Sequence, residues 1–132
     1  MRTKDLHSWN LSYSEAADLQ KKLACKVKFT PLKKQPGLIA GLDCAFSKDG
    51  QRIVAAAVVL RNQTSQKGLG GPLELPDTKV IPAQAGIHFE IVETTSAVQK
   101  VSFPYIPGLL SFREAPACIA AVEKLKQEPD AF

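Results

Sequence analysis

The stretch Leu38-Ile39-Ala40-Gly41-Leu42-Asp43-Cys44-Ala45-Phe46 decides the fold. Its alternate positions make two faces, Leu38, Ala40, Leu42, Cys44, Phe46 and Ile39, Gly41, Asp43, Ala45, and both are apolar except at Asp43. A run apolar on both sides reads as a strand covered on both faces. Ser47-Lys48-Asp49-Gly50 follows with an Asp-Gly turn signal, and Ile53 to Leu60 is a second run apolar on both sides. The pair predicts an antiparallel hairpin at the centre of a sheet.

Outward from the hairpin, Leu11 to Val27 reads as a helix. Ser12 and Glu15 have capping-box spacing, and Ala16, Leu19, Leu23 and Val27 share one face. Pro31 and Pro36 break the chain before the first strand. Ile87 to Val101 returns to strand character, and Phe103-Pro104-Tyr105-Ile106-Pro107-Gly108 is a rigid apolar turn in which two prolines restrict the backbone. A helix is predicted over Pro116 to Gln127, with Ile119, Val122 and Leu125 inward, and Ala131-Phe132 reads as the first step of a further strand. The pattern is α/β. Arg61 to Ala85 fits neither period. Its Gly68-Leu69-Gly70-Gly71 cluster lacks the spacing of a phosphate-binding loop, so the segment is read as a flexible link or insertion.

Composition bounds the function. The chain has 132 residues, 45% apolar and 23% charged, which suits one domain and excludes collagen-like, disulfide-scaffold and fully disordered classes. No apolar run approaches the roughly 18–20 residues of a membrane span, and no apolar stretch follows Met1-Arg2-Thr3-Lys4-Asp5, so neither membrane nor signal peptide is expected. Seventeen Lys and Arg against thirteen Asp and Glu leave +4. The excess lies at Lys21, Lys22, Lys26, Lys28, Lys33 and Lys34, which fits a solvated basic face or a polyanionic partner. Cys25, Cys44 and Cys118 form no CxxC, and with only His7 and His88 they make no standard structural zinc site. Reduced thiols in the cytoplasm are expected. Both histidines are read as surface residues.

Three residues are candidates for chemistry. Asp43, in a strand read as buried on both faces, is either paired with a cation or backbone N–H groups, or one of two or more carboxylates holding Mg²⁺. Glu114 pairs with Ser111 as a capping box, but Pro116 opposes a helix starting there; a helix opening at Pro116 leaves Glu114 in the preceding turn, free to project toward a strand. Tyr105, on a proline-braced tip, either folds onto the core or stacks on a base.

The run Phe103 to Ala117 (Phe-Pro-Tyr-Ile-Pro-Gly-Leu-Leu-Ser-Phe-Arg-Glu-Ala-Pro-Ala) resembles the signature segment of the endonuclease V family, the inosine-directed nucleases. Leu38 to Asp43 resembles that family's first strand, Ile53 to Leu60 its second, and Glu15 to Val27 its first helix. The resemblance implies a ribonuclease-H-like mixed sheet with flanking helices. It implies a DNA-repair endonuclease that recognises deoxyinosine, with inosine in RNA preferred by some relatives. Hydrolysis of a phosphodiester on the lesion's 3′ side would use Mg²⁺, with Mn²⁺ as an alternative. Asp43 and Glu114 match its metal-binding, catalytic carboxylates. Pro104, Tyr105, Ile106 and Pro107 match the wedge that parts the strands, and Gly108 and Leu110 match positions lining the pocket for the flipped base.

Two departures are expected. Residues 61–87 exceed the family's link between second and third strands, and Lys79 to His88 resembles a translated bacterial genomic repeat, so an inserted loop is expected there. The chain is also read as a single partial domain, 1–132, lacking a later strand with a further metal-binding Asp. It is therefore expected to be inactive alone; the alternative is a non-catalytic remnant or weak nucleic-acid-binding module.

Overall fold

The computed structural model describes residues 2–63 and 89–132. In chain order the elements are α1 (Tyr13–Ala24), β1 (Leu38–Phe46), β2 (Arg52–Asn62), β3 (Phe89–Lys100) and α2 (Leu110–Val122). The strands form an antiparallel sheet in the order β1-β2-β3. The β1–β2 hairpin is as expected, with Asp43 opposite Ala56 and Phe46 opposite Ile53. Its turn is closed by Gly50 N donating to Ser47 O at 2.8 Å and by Asp49 Oδ1, which accepts from Gln51 N at 3.0 Å. Gly50 sits at φ +69°, where a side chain would be strained.

α2 lies on one face of this sheet. Small residues line the contact: Ala117 and Ala121 of the helix meet Ala40, Ala55, Ala57 and Ala97 of the strands, with Ile53, Val59, Val122 and Leu125 filling the rest. Full burial of each larger aliphatic side chain is worth roughly 1.5–3 kcal/mol. A second cluster joins α1 to the segment before α2. There Ala16 meets Phe103, Leu109 and Phe112, with Trp9, Leu11, Leu19 and Ile106 around them.

The other face of the sheet departs from expectation. The apolar patterning predicts cover on both sides of both strands, yet Val54 is 42% exposed and Gly41, Asp43 and Ala45 are exposed. Among the described residues α2 covers one face, so apolarity on two sides did not mean burial on two sides.

The termini of elements also differ. The Ser12–Glu15 capping box forms, with Ser12 N donating to Glu15 Oε2 at 2.8 Å. α1 ends at Ala24, so Val27 lies beyond it and is exposed. β2 runs past Leu60. Arg61 pairs with Leu38 and Glu90 in register, and its Nη1 lies 3.0 Å from Glu90 Oε2. Arg61 and Asn62 therefore belong to the ladder and not to the expected insertion. The rest of that stretch from residue 64, the resemblance over 79–88 and His88 lie outside the described residues.

α2 begins six residues before the expected start and holds Pro116 inside it. Leu109 and Phe112, buried beside Phe103, hold the first turn by packing, and this outweighs the hydrogen bond Pro116 cannot donate. Ser111 is a helical residue rather than a cap, and the N-cap residue Leu109 makes no side-chain capping bond. The helix stops at Val122, but Val122 and Leu125 point inward as expected.

The chain then returns to β1. Ala131 makes a parallel bridge with Ile39, Ala40 N donates to Ala131 O at 2.9 Å, and Asp130 N donates to Leu38 O at 2.9 Å. Asp130 Oδ2 also accepts from Gly37 N and Leu38 N, at 2.9 and 3.0 Å. Among the described residues the strands of the sheet pair only antiparallel, and Ala131 adds one isolated parallel bridge at its edge rather than the strand expected there.

Candidate active site at the seam of β1 and α2

Asp43 stands on β1 and Glu114 on α2, elements that touch across the sheet face. Asp43 is exposed, so the burial cost that marked it in the sequence does not operate. Its Oδ1 accepts from Cys44 N at 2.8 Å. Glu114 is half-buried and lies within the helix, not in a turn ahead of it. A helical position holds the carboxylate more rigidly than the expected turn would.

Both acids bear electrostatically on the same two thiols. Cys44 of β1 and Cys118 of α2 are hydrogen-bonded to each other, and both feel the charges of Glu114 and Asp43. Burial, then Glu114, then Cys118 and Asp43 push the Cys44 thiol up to about 11. Burial is also the main cause raising Cys118, opposed by its hydrogen bond to Cys44. As soft donors, the two thiols match a hard cation less well than the carboxylates do. No spacing in the sequence pointed to this pair.

Arg113 is a second residue that sequence reasoning missed. Its guanidinium lies over the Phe46 ring, 4.5 Å from the centroid, tying α2 to the end of β1. Its Nε is buried and has no hydrogen-bond partner among the described residues.

The proline-braced loop precedes α2. Tyr105 is 70% exposed and does not fold onto the core; Phe103 and Leu109, on either side, do. Pro104, Pro107 and Gly108 are exposed, Ile106 is half-buried, and Leu110 is exposed at the start of α2. Gly108 takes φ +84°, which only glycine adopts freely. Gln20 Nε2 of α1 donates to Gly108 O at 2.7 Å and fixes the loop. Beside it is a cavity of about 200 Å³ lined by His7, Trp9, Gln20, Leu23, Ser111 and Phe112. His7 is not a free surface residue: its ring meets Trp9 edge-on at 4.4 Å.

The donor chemistry suits a hard cation. Mg²⁺ is usually bound by one or two carboxylates with water and phosphate oxygens completing the shell. Asp43 and Glu114 supply two such groups, while no group of three or more His, Cys, Asp and Glu able to hold a metal occurs among the described residues.

An α/β sheet with this hairpin, seam and loop has known counterparts. Residues 79–132 match the family model described as Endonuclease V. An endonuclease V of Thermosipho melanesiensis is 33% identical over 130 residues, covering 98% of this chain and 46% of that protein. One of Gloeobacter violaceus is 37% identical over 126 residues, covering 95% and 42%. The crystal structure of endonuclease V from Streptomyces avermitilis superposes with a TM-score of 0.68 at 32% identity, over 92% of this chain and 43% of that one. That from Bacillus subtilis gives 0.70 at 24% identity over 98% and 47%, a likeness of fold. The chain is similar to endonuclease V proteins along nearly its whole length, and it spans about half the length of the curated relatives it matches.

Proposed function

We propose that this chain carries part of the machinery of a DNA-repair endonuclease that recognises deoxyinosine and hydrolyses a phosphodiester on its 3′ side. The observation that carries the reading is that Asp43 and Glu114 stand on β1 and α2, two elements in contact. Similarity to endonuclease V along nearly the whole chain supports it.

Asp43 and Glu114 are the residues that would hold Mg²⁺, or Mn²⁺. A divalent ion bound there supplies Lewis-acid stabilisation of charge on phosphate oxygens. Both carboxylates are assigned as catalytic on this reading, and α2 fixes the position of Glu114. Cys44 and Cys118 line the seam as soft donors, which suit Mg²⁺ poorly. Tyr105, held between Pro104 and Pro107 with Ile106 anchoring the loop, enters the duplex as a wedge. Prolines on both sides reduce the entropy lost when the tip is ordered. Gly108 and Leu110 flank the extruded base. Hypoxanthine carries a carbonyl and N1–H where adenine has an amino group, an edge that backbone groups can read, and a mispaired base costs less to extrude. Inosine-containing RNA is the alternative substrate. The fold on this reading is ribonuclease-H-like, 1–132 forms one partial domain, and the three free thiols fit the reducing cytoplasm.

A second reading is favoured by the two-carboxylate site: the chain is a non-catalytic module that binds nucleic acid weakly. One set of measurements addresses both. Anisotropy is expected to show tighter binding of an inosine duplex than of its adenine counterpart, a preference lost in Tyr105→Ala. Mn²⁺ binding, read by electron paramagnetic resonance, is expected to fall at least about 10-fold in Asp43→Ala or Glu114→Ala. Any nicking should vanish in both. Equal Mn²⁺ binding and nicking by these variants would remove the two acids from the mechanism, and no preference for inosine would defeat the wedge assignment.

A further inference from the structure

Between Leu19 and Leu42 there is no acidic residue, while Lys21, Lys22, Lys26, Lys28, Lys33 and Lys34 all fall there. α1 carries the first two in its last turn. Every residue from 24 to 35 is exposed, and within this basic stretch Phe29 is 97% exposed, with Val27 and Leu32 also open. An aromatic ring wholly in water between lysines has no role in the described core. Thr30-Pro31 and Gln35-Pro36 restrict the backbone, so ordering it on a partner costs less than for a glycine-rich link.

Its position matters as much as its charge. At one end, α1 is tied to the proline-braced loop through the Gln20–Gly108 hydrogen bond and through Ala16 against Phe103 and Phe112. At the other, Gly37 and Leu38 lead into the strand that bears Asp43. The basic stretch thus connects the wedge loop to the acid-bearing strand along the surface. Lys34 shares its charge with nearby Asp130, which leaves Lys26, Lys28 and Lys33 as the cations of the exposed segment most available to a partner.

We infer that Lys21 to Lys34 form a sequence-independent track for the phosphate backbone of a nucleic acid, with Phe29 stacking on an unpaired base beside the opened site. Lysines along a segment with an interposed aromatic are the elements of single-strand binding: charges follow the backbone and a ring accepts any base. The inference rests on the proposed nucleic-acid substrate and adds a binding element outside the wedge and the carboxylates.

The test uses this chain and two inosine-free probes, a 20-nucleotide single strand and the corresponding duplex, read by anisotropy from about 50 to 200 mM salt. Each phosphate contact contributes about 0.7 to the slope of log affinity against log salt on a single strand. Lys26→Gln/Lys28→Gln/Lys33→Gln should lower that slope by about 2. Phe29→Ala should weaken single-strand binding about 10-fold and duplex binding little. An unchanged slope in the triple variant, or no binding of either probe by the wild type, overturns the track. So does wild-type attachment to phosphatidylserine vesicles with single-strand binding indifferent to all four substitutions. The inosine preference is a separate reading: its absence with a shifted slope sinks the damage-recognition assignment alone, and its presence with an unshifted slope sinks the track alone.

Discussion

Phe103 and Tyr105 stand two residues apart and do opposite things. Phe103 is 3% exposed, its ring centroid 5.7 Å from that of Phe112, while Tyr105 projects into solvent. The prolines at 104 and 107 keep one ring in and the other out. Replacing Phe103 by Ala should cost about 3–5 kcal/mol through the cavity it leaves. Replacing Tyr105 by Ala should change stability by less than about 0.5 kcal/mol, as at other exposed sites. Urea denaturation of the two variants checks the contrast; equal losses would mean that Tyr105 is a packing residue. Asp43 teaches a different lesson at this scale. Its polarity in an apolar run made it conspicuous in the sequence, yet the argument from burial fails because the side chain is exposed. The thiol pair and the stacked Arg113 were invisible, since contacts across a helix–sheet seam leave no spacing to read.

At the scale of elements, the seam between α2 and the sheet is built from alanines. Ala117 and Ala121 face Ala55 and Ala57, all four fully buried, so the helix approaches the strands closely. Ala117→Leu should destabilise the protein by about 1–3 kcal/mol by overpacking. A matching drop in denaturation midpoint, without loss of helical circular dichroism in the native state, is the expected result; an unchanged midpoint would show that the seam has room. The hairpin and the capping box of α1 were legible because their signals are local: an Asp-Gly turn, and Ser and Glu three apart. The start of α2 was not. Pro116 argues for a boundary, and only the burial of Leu109 and Phe112 against α1, a contact between distant segments, overrides it. The sheet's open face escaped the reading for the same reason, because apolar content does not say which neighbour covers it.

For the molecule as a whole, two carboxylates hold the C-terminal segment to both edges of the sheet. Glu93 of β3 accepts from Lys126 N and Gln127 N at 2.9 and 2.8 Å, and Asp130 accepts from Leu38 N and Gly37 N. These backbone donors hold both acids below their ordinary values of 4.5 and 3.8; Ser12, through side chain and backbone, does the same for Glu15. A carboxylate depressed in the folded state stabilises the fold above its unfolded pKa, and that contribution is lost as pH falls through the folded value. The denaturation midpoint should therefore hold at pH 5 to 7 and decline below about 4.5. The decline should be shallower in Glu93→Gln/Asp130→Asn, which starts less stable near neutrality; parallel pH curves for the two proteins would dismiss these acids as the cause.

Ala131 runs alongside Ile39 in the same direction, so any polypeptide genetically appended after Phe132 is launched along the margin of β1 toward Gly41 and Asp43. An affinity handle fused there would crowd the exposed margin of β1 around Asp43. Purification handles for this protein belong at its N-terminal side, and a cleavable fusion after Phe132 becomes a deliberate way to blockade that margin and release it on demand.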